Sequence, residues 1–272
     1  MNYLQFDFET EDAQQMELLV ALLCEQGFEG FEEDDDFLKA FIPEYKFDKE
    51  TFSHLPDRFS SIVYTQTTVE EINWNKKWEE GFKPVVVDDF VGIRADFHQP
   101  LSNVKYEIVI TPKMSFGTGH HATTFLMIQQ MQSIDFSGKK VLDFGTGTGI
   151  LAILAEKLGA TAVLAIDYDE WSITNTKENL TRNATKNIIV DKMDTVPNRE
   201  QFDIILANIN LNVITSNLQL IKEASKQEAV ILLSGFLNEN EEEIKKMLNE
   251  LELEYAATFK KGDWIAVLAK KI

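Results

Sequence analysis

The sequence predicts an α/β protein with a mostly parallel sheet, preceded by a small α+β unit, and three observations predict it. Between residues 140 and 234, short apolar runs alternate with longer stretches of helical spacing. A glycine-rich turn, Asp143-Phe144-Gly145-Thr146-Gly147-Thr148-Gly149, joins the first of these strands to the first of these helices. Residues 1–73 carry 18 Asp/Glu against 4 Lys/Arg, whereas the other 199 carry 27 against 22, so composition marks off an acidic N-terminal part.

Within that part, Tyr3-Leu4-Gln5-Phe6-Asp7-Phe8 alternates with period two and reads as a strand. Ala13 to Gln26 carries Met16, Leu19, Val20 and Leu23 at helical spacing, with Gly27 as a stop. Phe37–Ile42 reads as a strand, Lys49–Leu55 as a short helix and Ile62–Thr68 as a strand, with room for one more strand near Phe28. This order predicts a ferredoxin-like unit over residues 1–68. Residues 69–82 form a polar connector, expected to be helical, in which Trp74 and Trp78 are packing anchors.

The second domain, residues 83–272, opens with strands at 85–87, 91–93 and 106–110 and a helix at 122–133. Strand 140–144, helix 149–158, strand 162–167, helix 170–183, strands 187–190 and 202–207, helix 212–225 and strand 229–234 follow. A further helix is predicted with Asn238 as N-cap and Glu241 at the reciprocal position. Two strand-like runs, 253–259 and 264–269, close the chain around Lys261-Gly262-Asp263. The whole reads as a Rossmann-like sheet ending in an antiparallel hairpin.

The bulk numbers exclude several classes. No apolar run among the 272 residues reaches the length of a membrane span. MNYLQFDFET has neither a basic n-region nor an apolar h-region, so it is not a signal peptide. Cys24 is the only cysteine, which rules out an internal disulfide and disfavours a cysteine-based metal site. These features predict a cytoplasmic protein without a membrane partner. The net charge of −19 serves solubility or an acidic docking surface for a basic partner, and it disfavours direct nucleic-acid binding for want of a Lys/Arg footprint.

The chemistry centres on the glycine turn. Glycine is needed where the backbone turns tightly or a ligand must meet the main chain. The turn lies at the carboxyl end of the first strand, where open α/β sheets bind ligands. A dinucleotide fingerprint requires a glycine where Ile150 stands. G-x-G-x-G led by Asp143 resembles motif I of methyltransferases instead, a resemblance that implies contacts with an adenosyl cofactor at Asp143, Gly145 and Gly147. Asp167 ends the second strand, 22 residues after Gly145, and its carboxylate can accept from both ribose hydroxyls. Asp169 caps the following helix.

Asn208 ends the fourth strand, beside the first, where it can bond both an amine and the cofactor; an Asx-type turn is the competing role. Met114 to Thr124 has the composition of a loop that closes over a ligand, and Thr123 or Thr124 can equally be N-caps. A metal site on His120 and His121 lacks partners, because only His54 and His98 complete the histidines.

Phe116–Thr124 (FGTGHHATT), VLDFGTGTGILA (141–152), AIDYDEWSI (165–173) and LANI (206–209) resemble the ribosomal protein L11 methyltransferases of bacteria. Phe82-Lys83-Pro84 and the small acidic front domain extend the resemblance over the whole chain. The sequence departs from the family loop at His120 and Ala122, where Thr and Pro are usual. The resemblance implies a class I methyltransferase fold and S-adenosylmethionine as cofactor. It implies cofactor contacts at Thr124, Gly145, Asp167 and Asn208, with Asn208 also orienting the acceptor. It further implies methylation of lysine or N-terminal amines on a basic ribosomal protein held by the N-terminal domain, by an enzyme expected to be a monomer. A methyltransferase of the same fold acting on another protein, a nucleic acid or a small molecule is the alternative.

Overall fold

In a computed structural model, the structure describes residues 2–9, 16, 19–20, 22–24, 26–34, 37–53, 55, 62–69, 82–111, 119–197 and 201–272. Residues 70–81 of the predicted connector, with its two tryptophans, lie outside these residues, as does most of the loop before Gly119. Residue contacts divide the chain into two compact units, Met1–Gly81 and Phe82–Ile272.

The first unit is built on four strands, β1 (Tyr3–Glu9), β2 (Gly30–Asp34), β3 (Phe37–Pro43) and β4 (Val63–Val69). They pair antiparallel in the order β2-β3-β1-β4. Residues 16, 19–20 and 22–24 are helical between β1 and β2, and a short helix α1 (Lys49–Ser53) separates β3 from β4. This β-α-β-β-α-β order is the ferredoxin-like arrangement. Period-two alternation puts Leu4, Phe6 and Phe8 on the covered face, against Leu19, Leu23, Leu38, Ile42 and Phe52. The Phe6 ring lies 4.6 Å from that of Phe52 and 5.5 Å from that of Phe28. Burying each such side chain contributes on the order of 2 kcal/mol. β2 is only faintly marked in the sequence because Phe31 is its single apolar side chain, as suits an edge strand.

The second unit contains a three-stranded sheet, β5 (Val85–Val87), β6 (Val91–Ala95) and β7 (Tyr106–Ile110), and a seven-stranded sheet. The latter comprises β8 (Lys140–Phe144), β9 (Ala162–Asp167), β10 (Ile188–Lys192), β11 (Phe202–Asn208), β12 (Ser225–Leu237), β13 (Leu253–Lys261) and β14 (Trp264–Lys271). Its order is β10-β9-β8-β11-β12-β14-β13. The β8 to β12 pairs are parallel, and β14 runs antiparallel to both neighbours. Helices α2 (Ala122–Met131), α3 (Ile150–Lys157) and α4 (Glu170–Arg182) pack on one face, and α5 (Leu211–Ala224) and α6 (Glu241–Glu250) on the other.

Both faces of the central strands are therefore covered, which is why β8 and β11 read as continuous apolar runs. Val141, Ile204 and Leu206 enter one core, and Leu142, Phe144, Ile205 and Ala207 the other. The edges differ from expectation in two places. β12 spans thirteen residues because its pairing with β14 extends it to Leu237. Asn238 does not cap a helix through its side chain: its Nδ2 donates to Gly262 O, while Asn240 Oδ1 accepts from Leu237 N. Glu241, expected to complete that cap, bonds Lys245 and Lys260 at 3.0 and 2.6 Å.

Candidate active site at the carboxyl ends of the parallel strands

The glycine turn leaves β8 with Gly145 and Thr146 both donating their N–H to Ile166 O at 2.9 Å. Gly145, Gly147 and Gly149 have φ of 75, 56 and 82°, a region that side-chain-bearing residues rarely enter. Gly149 is the N-cap position of α3 and has no side chain to satisfy the first helical amides. Asp143 does this from the strand: its Oδ2 accepts from Ala152 N at 3.2 Å and from Thr146 Oγ1 at 2.6 Å. Asp143 is 1% exposed, and burial pushes its carboxyl up to about 7 despite those two donors. Its Oδ1 is buried without a partner among the described residues. Asp143, predicted as a cofactor contact, thus ties the strand to the turn and to the first turn of α3.

Asp167 ends β9 at the mouth of the turn. Its Oδ2 accepts from Gly147 N at 2.9 Å and its Oδ1 from Asp169 N at 3.0 Å. Gly147, predicted to meet the cofactor, therefore has its own N–H directed at Asp167. Each carboxylate oxygen retains a lone pair, so two further donors can be accepted. Asp169 caps α4 as predicted, with Oδ2 accepting from Ser172 N and Ser172 Oγ.

Beside the buried Ile173, α4 buries four polar residues, Ser172, Asn175, Thr176 and Asn179, at the i, i+3, i+4, i+7 spacing of one helical face. Thr176 Oγ1 donates to Gly147 O and Asn179 Nδ2 to Thr148 O, both at 2.8 Å. A Cβ on Gly149 would stand 2.8 Å from Thr176 Cγ2, so the third glycine lets helix and turn approach. Thr176 and Asn179 belong to no motif singled out in the sequence, although polar residues at core spacing on a helix signal buried hydrogen bonding.

Opposite the turn, β11 ends in Asn208, 7% exposed. Its Nδ2 donates to Thr124 Oγ1 at 3.2 Å, and its Oδ1 is buried without a partner among the described residues. The structure thus joins two predicted site residues 84 positions apart. The turn role considered for Asn208 belongs to Asn210, whose Oδ1 accepts from Val213 N to cap α5. Nor do Thr123 or Thr124 cap α2. That position is His121, whose Nδ1 accepts from Thr123 N and whose ring meets Trp264 edge-on at 4.5 Å. His120 turns elsewhere, its Nε2 3.0 Å from Lys83 O and its ring against Phe82. The two histidines are placed by separate contacts.

Ile209 forms a wedge that sequence reasoning missed. A Cβ on Gly145 would lie 2.1 Å from Ile209 Cγ2, and one on Gly235 would lie 2.1 Å from Ile209 O. Gly235, with φ 103°, sits where the β12–β14 register shifts. Ile209 N also donates to Ser234 O at 3.1 Å. The Asn208 turn is therefore seated between the glycine turn and the end of β12.

A family model described as ribosomal protein L11 methyltransferase (PrmA) matches residues 8–272. The ribosomal protein L11 methyltransferase of Phocaeicola vulgatus is 37% identical over 98% of this chain and 98% of its own length. That of Chlorobaculum tepidum is 37% identical over 99% of this chain and 96% of its own length. A crystal structure of a ribosomal protein L11 methylase from Lactobacillus delbrueckii subsp. bulgaricus superposes with a TM-score of 0.65 and 27% identity, covering 70% of this chain and all of that one.

Proposed function

The chain belongs to the ribosomal protein L11 methyltransferase family, and from that premise we propose how its own residues carry the reaction. It is an S-adenosylmethionine-dependent protein methyltransferase whose substrate is ribosomal protein L11. The finer assignments, which atoms hold the cofactor and which group accepts the methyl, are our reading of the site.

The residues present fit the cofactor. Asp167 has acceptor capacity for two ribose hydroxyls beyond the amides it already binds. Gly145 and Gly147, at φ of 75 and 56°, give the turn the backbone path that places main chain at the carboxyl end of β8. Asp143 fixes the turn from β8, and Thr124 and Asn208 close the opposite side. When bound, S-adenosylmethionine supplies a methyl group on a sulfonium that is already a good leaving group. What remains for the protein is alignment.

The acceptor in this reading is an amine of L11, a lysine side chain or the N-terminus. It must be neutral to attack, although a lysine has an ordinary pKa of about 10.4. A partly dehydrated site beside a positive sulfonium favours the neutral form. Asn208 Oδ1 then accepts an N–H of the amine and directs its lone pair along the transfer line. No side chain is assigned as general base. The observation that carries this reading is the Asn208 amide, whose nitrogen is tied to Thr124 and whose buried oxygen is left as an acceptor.

The acidic first unit is assigned to substrate recognition, since a basic protein matches its 18 acidic and 4 basic residues over 1–73. The reading places the enzyme in the cytoplasm as a monomer that touches protein, not RNA. Among the described residues no helix is long and apolar enough to cross a membrane. The test is to incubate the protein with methyl-labelled S-adenosylmethionine and undermodified ribosomal proteins, at rising salt. Label in L11, entering more slowly as salt screens the acidic surface, is expected. Label in another protein, in RNA or in small molecules only would overturn the substrate assignment. Salt-independent labelling of L11 would overturn the electrostatic role of the first unit.

A further inference from the structure

Of the side chains that hold the glycine turn, Asn179 has its bonding capacity almost fully used. Asn179 is 0% exposed. Its Nδ2 donates to Thr148 O at 2.8 Å and to Asn175 Oδ1 at 3.1 Å, which commits both amide hydrogens. Its Oδ1 accepts from Thr111 N at 2.7 Å. One turn further on, Asn183 repeats the device, with Oδ1 accepting from Val109 N and Nδ2 donating to Val109 O. Two asparagines at the end of α4 thus bind the end of β7, an edge of the small sheet, while the first of them also holds the glycine turn.

A trans peptide points its C=O and N–H in opposite directions. With Gly147 O and Thr148 O drawn toward α4 by Thr176 and Asn179, the amides of Thr148 and Gly149 point away from that helix, that of Gly149 donating to Thr146 O at 2.9 Å. The α4 side chains therefore act on the carbonyl side of the cradle, while Thr146 O and Asp167 hold the Gly149 and Gly147 amides.

We infer that Asn179 is a positioning residue for methyl transfer: it locks the peptide planes of Gly147–Gly149 in the cofactor-receiving orientation and registers that turn against the end of β7. Thr176 supports the same lock through the neighbouring carbonyl. The inference rests on the reading of this turn as the S-adenosylmethionine site and goes beyond it to what fixes the turn's shape. A buried polar face on α4 could instead serve helix docking alone, and the two roles separate by measurement.

Two variants make the test. Thr176→Val is nearly isosteric and removes only the bond to Gly147 O. Asn179→Asp keeps the shape and the acceptor for Thr111 N but, when ionised, has no donor for Thr148 O. Binding of S-adenosylhomocysteine is measured by calorimetry on the full chain, below the melting temperature of each variant. The expected result at pH 8 is a dissociation constant raised about 10-fold in Thr176→Val, corresponding to one lost buried hydrogen bond, and by at least as much in ionised Asn179→Asp, which loses the donations to both Thr148 O and Asn175 Oδ1. KM for S-adenosylmethionine should rise by more than kcat falls. Once protonated, the carboxyl introduced by Asn179→Asp can donate to Thr148 O again, so lowering the pH should restore that variant's affinity relative to wild type at the same pH. Variants that melt earlier but bind with the wild-type constant would reduce Asn179 to a structural role and overturn the inference, and Thr176→Val alone decides this if Asn179→Asp does not fold. An Asn179→Asp profile parallel to wild type would also overturn it. Failure of the wild-type protein itself to bind S-adenosylhomocysteine would overturn the cofactor-site reading, and the inference with it.

Discussion

Asn208 Nδ2 donates to Thr124 Oγ1 at 3.2 Å, joining the end of a central strand to the first turn of α2. An asparagine amide can present either end to a ligand, and this bond selects the oxygen. Removing Thr124 Oγ1 by Thr124→Val should free the amide to turn and lower kcat about 10-fold, whereas Thr124→Ser should stay near wild type. Asn208→Ala removes the acceptor and should lower kcat about 100-fold, the cost of a misplaced reactant, with the melting temperature little changed. Single-turnover transfer rates check this; near-normal turnover of Asn208→Ala would discard the assignment.

Asp167→Ala should weaken S-adenosylhomocysteine binding about 100-fold, from two lost hydrogen bonds to a carboxylate of about 1.5 kcal/mol each. It also removes the acceptor for Gly147 N. Calorimetry reads the effect directly, and an unchanged affinity would move the ribose elsewhere.

Asp143 links stability to pH. Its carboxyl is raised by burial from 3.8 to about 7 in the folded protein. Between those values the folded state holds a proton that the unfolded chain has released, so this group's contribution to stability falls as pH rises through the window and is constant above it. The slope is at most about 1.4 kcal/mol per pH unit. Asp143→Asn cannot titrate, so its melting temperature should fall less than that of wild type between pH 4 and 7. Parallel curves would show that Asp143 ionises normally.

Gly235→Ala should cost at least about 2 kcal/mol and abolish transfer, because the new Cβ meets Ile209 O, a backbone atom, at 2.1 Å and φ is 103°. Gly138 also has positive φ, 74°, but open space around it. Gly138→Ala should therefore cost about 1 kcal/mol and leave activity intact. Thermal melts with parallel assays compare the two.

The parts legible in the sequence are those whose signal is local. β8, β9 and the Gly145–Gly149 turn read clearly because a strand covered on both faces is apolar throughout and its glycines sit at fixed offsets. Asp169 is legible as a cap for the same reason. The His121 cap is not, because histidine is not among the usual capping residues, and its ring is packed by Trp264, far along the chain. Gly235 carries no motif either: its need comes from Ile209, which only the sheet order brings against it. Thr176 and Asn179 are visible as polar positions on a helix, but their partners are carbonyls of a turn 29 and 31 residues earlier.

The placement of β14 between β12 and β13 bears on how the enzyme comes into being. In the order of synthesis β13 precedes β14, the strand it pairs with among the described residues, so it leaves the ribosome before that partner exists. The β12 irregularity at Gly235, on which Ile209 rests, is likewise defined by pairing with β14, and Trp264 of that strand backs the cap of α2. A nascent chain that has already emerged through the glycine turn, Asp167 and Asn208 thus has every assigned site residue but not the frame that seats them. Competence for methyl transfer should arrive in one late step, when β14 inserts, and ribosome-bound chains stalled before Trp264 should be inert.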